Sequence, residues 1–287
     1  MKSYKGFDKK LKCRDFQYEI GKEYEMDGEI KVCSRGFHAC ESPFDVFDHY
    51  TMIDSRFCEV EQDGNISKED RGTKICSSKI KIKAELKLAD MINLGVEWLK
   101  EITSPEKIKT SIKDNSSGNG AQIGSSGNDA KIGSSGYDAQ IGSSGNDAQI
   151  GSSGNGAKIG SSGNGAKIGS SGYGAKIGSS GYGAQIGSSG NDAQIGSSGN
   201  YAQIGSSGNY AKIDSTGEGC VIMCAGINSV AKASKGSWIT LSEWSYSDKK
   251  KRYIPVCVKT EFVDGEKIKA DTYYSLKGGV FVESVNN

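Results

Sequence analysis

The chain has 287 residues, with 36 basic and 35 acidic side chains and a formal charge of +1, a balance that lacks the electrostatic footprint of a nucleic-acid binder. Forty glycines beside only three prolines argue against both a disordered chain and a collagen-like rod. No apolar run approaches membrane-spanning length and Met1-Lys-Ser-Tyr-Lys-Gly has no signal-peptide core, so the eight irregularly spaced cysteines are expected as reduced thiols of a cytoplasmic protein.

Composition shifts divide the chain into an N-terminal α+β domain over 1–110, a repeat block with its flanks over 111–237, and a C-terminal β segment over 238–287. In the first, Phe16–Met26 and Glu29–Cys33 alternate like two strands joined at a turn, Asp27-Gly28. Ser42-Pro43 is a helix start, with Phe44, Val46, Phe47 and Tyr50 on an apolar side. Arg56–Glu61 and Lys79–Glu85 alternate as strands. The spacing of Leu88, Met91, Ile92, Gly95, Trp98, Leu99 and Ile102 predicts an amphipathic helix over 87–102.

Chemical candidates in this part are sparse. Cys33, His38 and Cys40 lack the fourth ligand of a structural zinc site. No nucleophile with a partner base and no phosphate loop occurs, so neither metal nor cofactor is implied. The run Tyr4-Lys5-Gly6, then Arg35-Gly36-Phe37-His38-Ala39-Cys40, a short helix and Phe57-Cys58-Glu59-Val60-Glu61 is similar in order to ADP-ribosyltransferases. There an aromatic/basic-Gly strand, a Gly-Phe-x-Thr/Ser strand and a late Glu cradle NAD. Lys5 stands where that family has Arg or His, and no Thr or Ser follows Phe37 in place, which favours an ordinary α+β fold.

The block from Ala121 to Gly219 is one nonapeptide, Ala-Gln/Lys-Ile-Gly-Ser-Ser-Gly-Asn/Tyr-Asp/Gly/Tyr, written eleven times. Ala and Ile flank a Gln or Lys, an in-out-in alternation at the strand period, and Gly-Ser-Ser-Gly-Asn supplies turn residues. Such self-similarity predicts a central parallel β-solenoid, a β-roll with two units per coil. A three-unit coil is the alternative. Stacked Ser and Asn are expected to form ladders that satisfy one another's hydrogen bonds. The turn resembles the calcium-binding nonapeptide of secreted toxins, but the apolar residues are displaced and the Asp of Asp129 becomes Gly or Tyr at 156, 165, 174, 183, 201 and 210, so calcium is not expected. Trimeric-adhesin heads use similar coils of longer period.

Degenerate units flank the block, Ile112–Gly120 before it (after a join at Thr103–Lys113) and Cys220–Asn228 and Ser229–Ser237 behind it as an end-cap. Trp238–Trp244, Tyr253–Val263, Ile268–Tyr274 and Val280–Glu283 predict a small β-meander, with Lys249–Arg252 a solvated hairpin tip. The fold class is therefore mainly β, with an α+β domain in front and a β-meander behind. Tyr4-Lys-Gly-Phe, Gly36-Phe-His-Ala-Cys, the repeats, Trp238-Ile-Thr-Leu-Ser-Glu-Trp244 and Val263-Asp-Gly-Glu-Lys-Ile-Lys-Ala-Asp271 together resemble a family of phage and prophage proteins of low-GC Gram-positive bacteria. That resemblance implies a mobile-element origin and names no activity.

A near-perfect repeat offers no unique catalytic pocket, so the favoured function is non-catalytic. The expected protein is a rigid solenoid in the host cytoplasm that binds a host protein or protein complex, as a counter-defence inhibitor would. It binds no membrane and no nucleic acid, and homo-oligomerisation stays open. An ADP-ribosyltransferase-like nucleotide binder and a virion or fibre component are the alternatives. Because an invariant surface cannot mark a place along the rod, binding is expected from the turn tyrosines that break the repeat: Tyr137, Tyr173, Tyr182, Tyr201 and Tyr210. The bland reading is that each merely packs over the turn of the next coil.

Overall fold

The computed structural model describes residues 1–52, 54–69, 73–102, 115–116 and 118–284. The chain forms two compact units, Met1–Trp98 and Leu99–Asn287. The join Thr103–Lys113, the 110/111 boundary and residues 112–114 and 117 of the degenerate unit Ile112–Gly120 lie outside the described residues. Within that unit Asn115–Ser116 still pairs in parallel with Gly133 and Ser134, in phase with the repeat.

The first unit contains strands β1 (Lys2–Phe7), β2 (Lys12–Cys13), β3 (Phe16–Gln17), β4 (Glu23–Glu25), β5 (Phe37–Cys40), β6 (Arg56–Lys68) and β7 (Lys74–Leu86), followed by helix α1 (Leu88–Ile102). The sheet order is β4-β7-β5-β1-β6, all antiparallel, and β6 also pairs with β7. Strands β1, β6, β7 and β5 thus close on one another, which leaves few free edges. Phe7, Phe37, Cys58, Val60, Ile80 and Ile82 form part of its core. Buried Gln62 is satisfied throughout: its Oε1 accepts from Ser3 Oγ at 2.7 Å, and its Nε2 donates to the Phe37 carbonyl at 2.7 Å and to Ser77 Oγ at 3.1 Å. The amphipathic helix forms where its spacing predicts. It buries Met91, Ile92 and Val96, and Gly95 lets the Phe44 ring approach so closely that an added Cβ would lie 2.6 Å from Cε1.

One local expectation fails here, and a second is met in tighter form. Asp27-Gly28 does not join two strands; β4 pairs instead with the long β7 (Tyr24 opposite Ile80), and 29–33 contains only a bridge between Lys31 and Arg35. The 13-residue β6 and β7 outcompete the short-range turn signal by offering β4 a preformed edge. The helix after Ser42-Pro43 is a single 3-10 turn, Phe44–Asp48, with the Asp45 amide donating to Ser42 Oγ at 3.4 Å.

In the second unit four-residue strands recur every nine residues from Gln122–Ser125 to Val230–Ala233 and alternate between two parallel sheets. Lys131 pairs with Gln149, and Ile132 with Ile150, so one coil is two units. The Ala and Ile columns point inward and form a thin dry core closed at its far end by Ile239, Leu241, Val263, Ile268, Tyr274 and Leu276. The last segment splits between the sheets: Trp238–Ser247 continues one in parallel and folds back as Arg252–Phe262, while Tyr274–Lys277 and Val280–Glu283 add a hairpin to the other. Ile268–Tyr274 is not a strand until its final residue. Asp264 Oδ1 there accepts the amides of Glu266 and Ile268, which curls the chain across the core end.

The Asn half of the expected ladder exists, in altered form. Asn128 Oδ1 accepts the Asn146 amide at 3.0 Å, and Asn155 and Asn164 do the same for Tyr173 and Tyr182 at 2.9 Å, always one coil ahead. The Ser half does not. The first Ser of each unit points inward, and Oγ of Ser134, Ser143, Ser152 and their successors to Ser215 has no hydrogen-bond partner. Coils stack about 4.8 Å apart, too far for hydroxyls that bond at about 2.7 Å, whereas the longer Asn reaches. At the end-cap this inward column turns apolar, with Cys224, Ala233 and Leu241.

The outward Gln/Lys column also behaves unequally. On one sheet Lys131, Gln149, Lys167, Gln185 and Gln203 are exposed as expected; on the other Gln140 and Lys158 are buried. Near the C-terminal end of that second sheet Tyr273 lies over the outward lysines, its ring centroid 4.7 Å from Lys212 Nζ and 5.1 Å from Lys232 Nζ, and Lys232 is ion-paired with buried Asp214 at 2.9 Å.

Candidate functional site

The turn chemistry fixes where irregular side chains can stand. The ninth position of the unit is left-handed in every regular copy, with φ 54–57° at Asp138, Asp147, Tyr201 and Tyr210 and 65–70° at Gly156, Gly165, Gly174 and Gly183. Two tyrosines in that region cost about 1–2 kcal/mol each relative to Gly. The eighth position carries Asn or Tyr, with Glu218 in the last copy, and lies outside the core.

With an 18-residue coil, Tyr137, Tyr173 and Tyr210 fall on one edge of the roll and Tyr182 and Tyr201 on the other. Gly156 donates to the Tyr173 carbonyl and Asp192 to Asn209 on the first edge, and Gly165 to Tyr182 and Gly183 to Asn200 on the second. All five rings are 54–58% exposed. They nevertheless lean along the rod. The Tyr182 and Tyr201 centroids are 5.2 Å apart, Tyr201 covers Gly219 (a Cβ there would lie 2.9 Å from Cε1), and the Tyr173 hydroxyl is hydrogen-bonded to Asp192, whose carboxylate raises the phenol's pKa. The structure therefore brings together one pair and leaves Tyr137, Tyr173 and Tyr210 spread along the other edge. The open face of the solvent-exposed sheet is a shallow trough floored by Gly133, Gly151, Gly169, Gly187 and Gly205. It repeats with the coil up to its end, where exposed Val221 and Met223 replace the Gln/Lys and Gly of the regular units.

The second concave feature was missed from the sequence. It is a pocket of about 330 Å³ within the first unit, between β1, β5 and the loops at 13–18, 33–36 and 46–50. Lys5 lines it from β1 and is only 4% exposed; its Nζ donates to the His38 carbonyl at 3.0 Å and to Cys13 Sγ at 3.4 Å. The rings of Phe7, Tyr18 and Tyr50 lie 5.3, 5.8 and 6.0 Å from the same nitrogen. Tyr50 hydroxyl donates to Cys13 Sγ at 3.0 Å, and His38 Nε2 accepts the Cys33 amide at 3.0 Å. Burial lowers the Lys5 pKa. Burial also lowers that of His38, with Lys5, Lys74 and Arg14 pushing the same way, which favours the uncharged imidazole. Arg14 and Cys33, both on the lining, sit at left-handed φ of 55° and 63°.

Tyr4, Lys5 and Gly36–Cys40 of the transferase-like run are thus in one place, yet its acids are not. Glu59 is ion-paired with Lys2 at 2.9 Å and Glu61 with Lys83 at 3.0 Å, and neither lines the pocket. The transferase-like run, Tyr4-Lys5-Gly6 with Gly36-Phe37-His38-Ala39-Cys40, was the signal for the pocket in the sequence; its remaining groups, among them Arg14, Tyr50 and Lys74, come from segments far apart in the chain.

Fold and site define a parallel β-solenoid protein joined to an α+β unit. A family model described as "Domain of unknown function (DUF7666)" matches residues 1–94, which is almost all of the first unit. No curated protein and no solved structure matches the chain. No helix among the described residues is long and apolar enough to cross a membrane.

Proposed function

We propose that this chain is a non-catalytic binding protein of phage or prophage origin whose rigid solenoid presents its tyrosine-marked edges to a host protein or protein complex, as a counter-defence inhibitor in the host cytoplasm would. The observation that carries this reading is the exposure of all five irregular tyrosines on a framework whose other turns are near-identical. Exposed Tyr offers large contact area at low entropic cost, and a rigid roll spends little ordering on binding. The Tyr182–Tyr201 pair is the favoured anchor, since neighbouring rings give one continuous apolar surface. The shared motifs noted above support the phage origin.

The test is affinity capture from lysogenic or infected cells with wild type and five single variants, Tyr137→Asn, Tyr173→Asn, Tyr182→Asn, Tyr201→Gly and Tyr210→Gly. The residues introduced are those other units carry, so the fold accepts them. Loss of a reproducible partner in Tyr182→Asn and Tyr201→Gly is expected with no fall in melting temperature, and Tyr201→Gly should melt somewhat higher because it relieves the left-handed strain. If all five retain both the partner and stability, the rings only cover the next turn and recognition lies elsewhere.

A further inference from the structure

The pocket of the first unit carries an unbalanced charge. Lys5, Arg14 and Lys74 line it, no Asp or Glu does, and none of the three is ion-paired to a carboxylate among the described residues. The other polar groups on the lining include Ser34, His38, His49 and Tyr50. Burying an ammonium without a counter-charge is costly. An ammonium has three protons, and the two contacts to His38 carbonyl and Cys13 Sγ leave one for a further acceptor. The enclosed volume is at the small end of the range typical of small-molecule pockets.

We propose that this pocket binds a small phosphate monoester, with Lys5 at its floor and Arg14 and Lys74 at its rim. A phosphate monoester carries a charge of about −1.5 to −2 at neutral pH and three acceptor oxygens, which matches three converging cations better than a single carboxylate does. Arg14 supplies a planar fork able to take two of those oxygens, and Lys5 and Lys74 act as point charges. Tyr4, Tyr18 and Tyr50 on the lining leave room for a ring beside the phosphate. Lys5 is then a binding residue whose burial is compensated by the ligand. The site is independent of the solenoid and of its partner.

The experiment is calorimetric titration and thermal melting of the purified full-length chain with inorganic phosphate, adenosine 5′-monophosphate, adenosine and glutamate. Saturable binding of both phosphate probes with a rise in melting temperature is expected, with none for adenosine or glutamate. Arg14→Gln and Lys74→Gln, which remove partly exposed side chains, are expected to melt like wild type and to bind the monophosphate at least about tenfold more weakly; Lys5→Met is expected to abolish binding. Failure of wild type to saturate with either phosphate up to about 10 mM, equal binding of glutamate, or undiminished binding in Arg14→Gln and Lys74→Gln would each overturn the proposal.

Discussion

Two glycine positions of the repeat have opposite obligations. A Cβ on Gly163 would lie 1.9 Å from the carbonyl oxygen of Gly145 one coil back, a backbone atom that cannot swing aside, whereas a Cβ on Gly169 meets nothing within 4 Å. Gly163→Ala is therefore expected to cost more than about 2 kcal/mol, by prising adjacent coils apart. Gly169→Ala should be neutral or stabilise by up to about 1 kcal/mol through the unfolded chain. Chemical denaturation of the two variants checks the contrast, and equal losses would refute the close-approach argument. The thiols divide as sharply. Burial raises the pKa of Cys40, Cys58 and Cys224 to about 12. A raised value keeps the proton on sulfur at pH 8, so these three should resist iodoacetamide until the fold opens, while exposed Cys33 reacts first. Peptide mapping after timed alkylation reads the order.

At the scale of the element, one strand tests the register. Ile168 is buried and its neighbour Lys167 exposed. Ile168→Asp should cost several kcal/mol by burying an unpaired charge, and Lys167→Ala about 0.5 kcal/mol or less. Lys158 has the same place in the unit on the opposite sheet but is buried, so Lys158→Ala should cost at least about 1 kcal/mol more than Lys167→Ala. Equal melting shifts for the two lysine variants would contradict the inequality of the sheets. This pattern also sets what the sequence disclosed. Ala-x-Ile spacing gave the coil because every copy states the same period. The same monotony hid which sheet is exposed, since adjacent copies are nearly identical and burial depends on what lies outside the repeat. In the first unit the long β6 and β7 overrode Asp27-Gly28, and the pocket escaped notice because Lys5 reads as a solvated strand residue until Cys13, His38 and Tyr50 are brought round it. The tyrosine edges followed from arithmetic once two units per coil was chosen; the contact of Tyr182 with Tyr201 did not, because it depends on the lean of the rings.

At the scale of the whole molecule, stepping the register by 18 residues makes copy number a geometric variable. Removing 148–165 deletes one full coil and should leave the remaining columns, the end-cap and the melting temperature nearly intact, since stability in such arrays falls gradually with repeats lost. Removing 148–156 deletes half a coil. Every later strand then changes sheet, Tyr137 comes to share its edge with Tyr182 and Tyr201, and the terminal hairpins trade sides relative to the first coils. That variant should lose more stability than the 18-residue deletion, because residues adapted to the covered sheet, such as Lys158, move to the open one. Circular dichroism melts of the two deletions decide the matter. The repeat thus works as a ruler with a parity rule. Added or lost in pairs, units lengthen or shorten the rod in steps of about 4.8 Å while its two ends keep their heading; added or lost singly, each one turns the far end through half a revolution. A gene under such a rule can vary reach freely only by even counts, and any odd change is a change of aim.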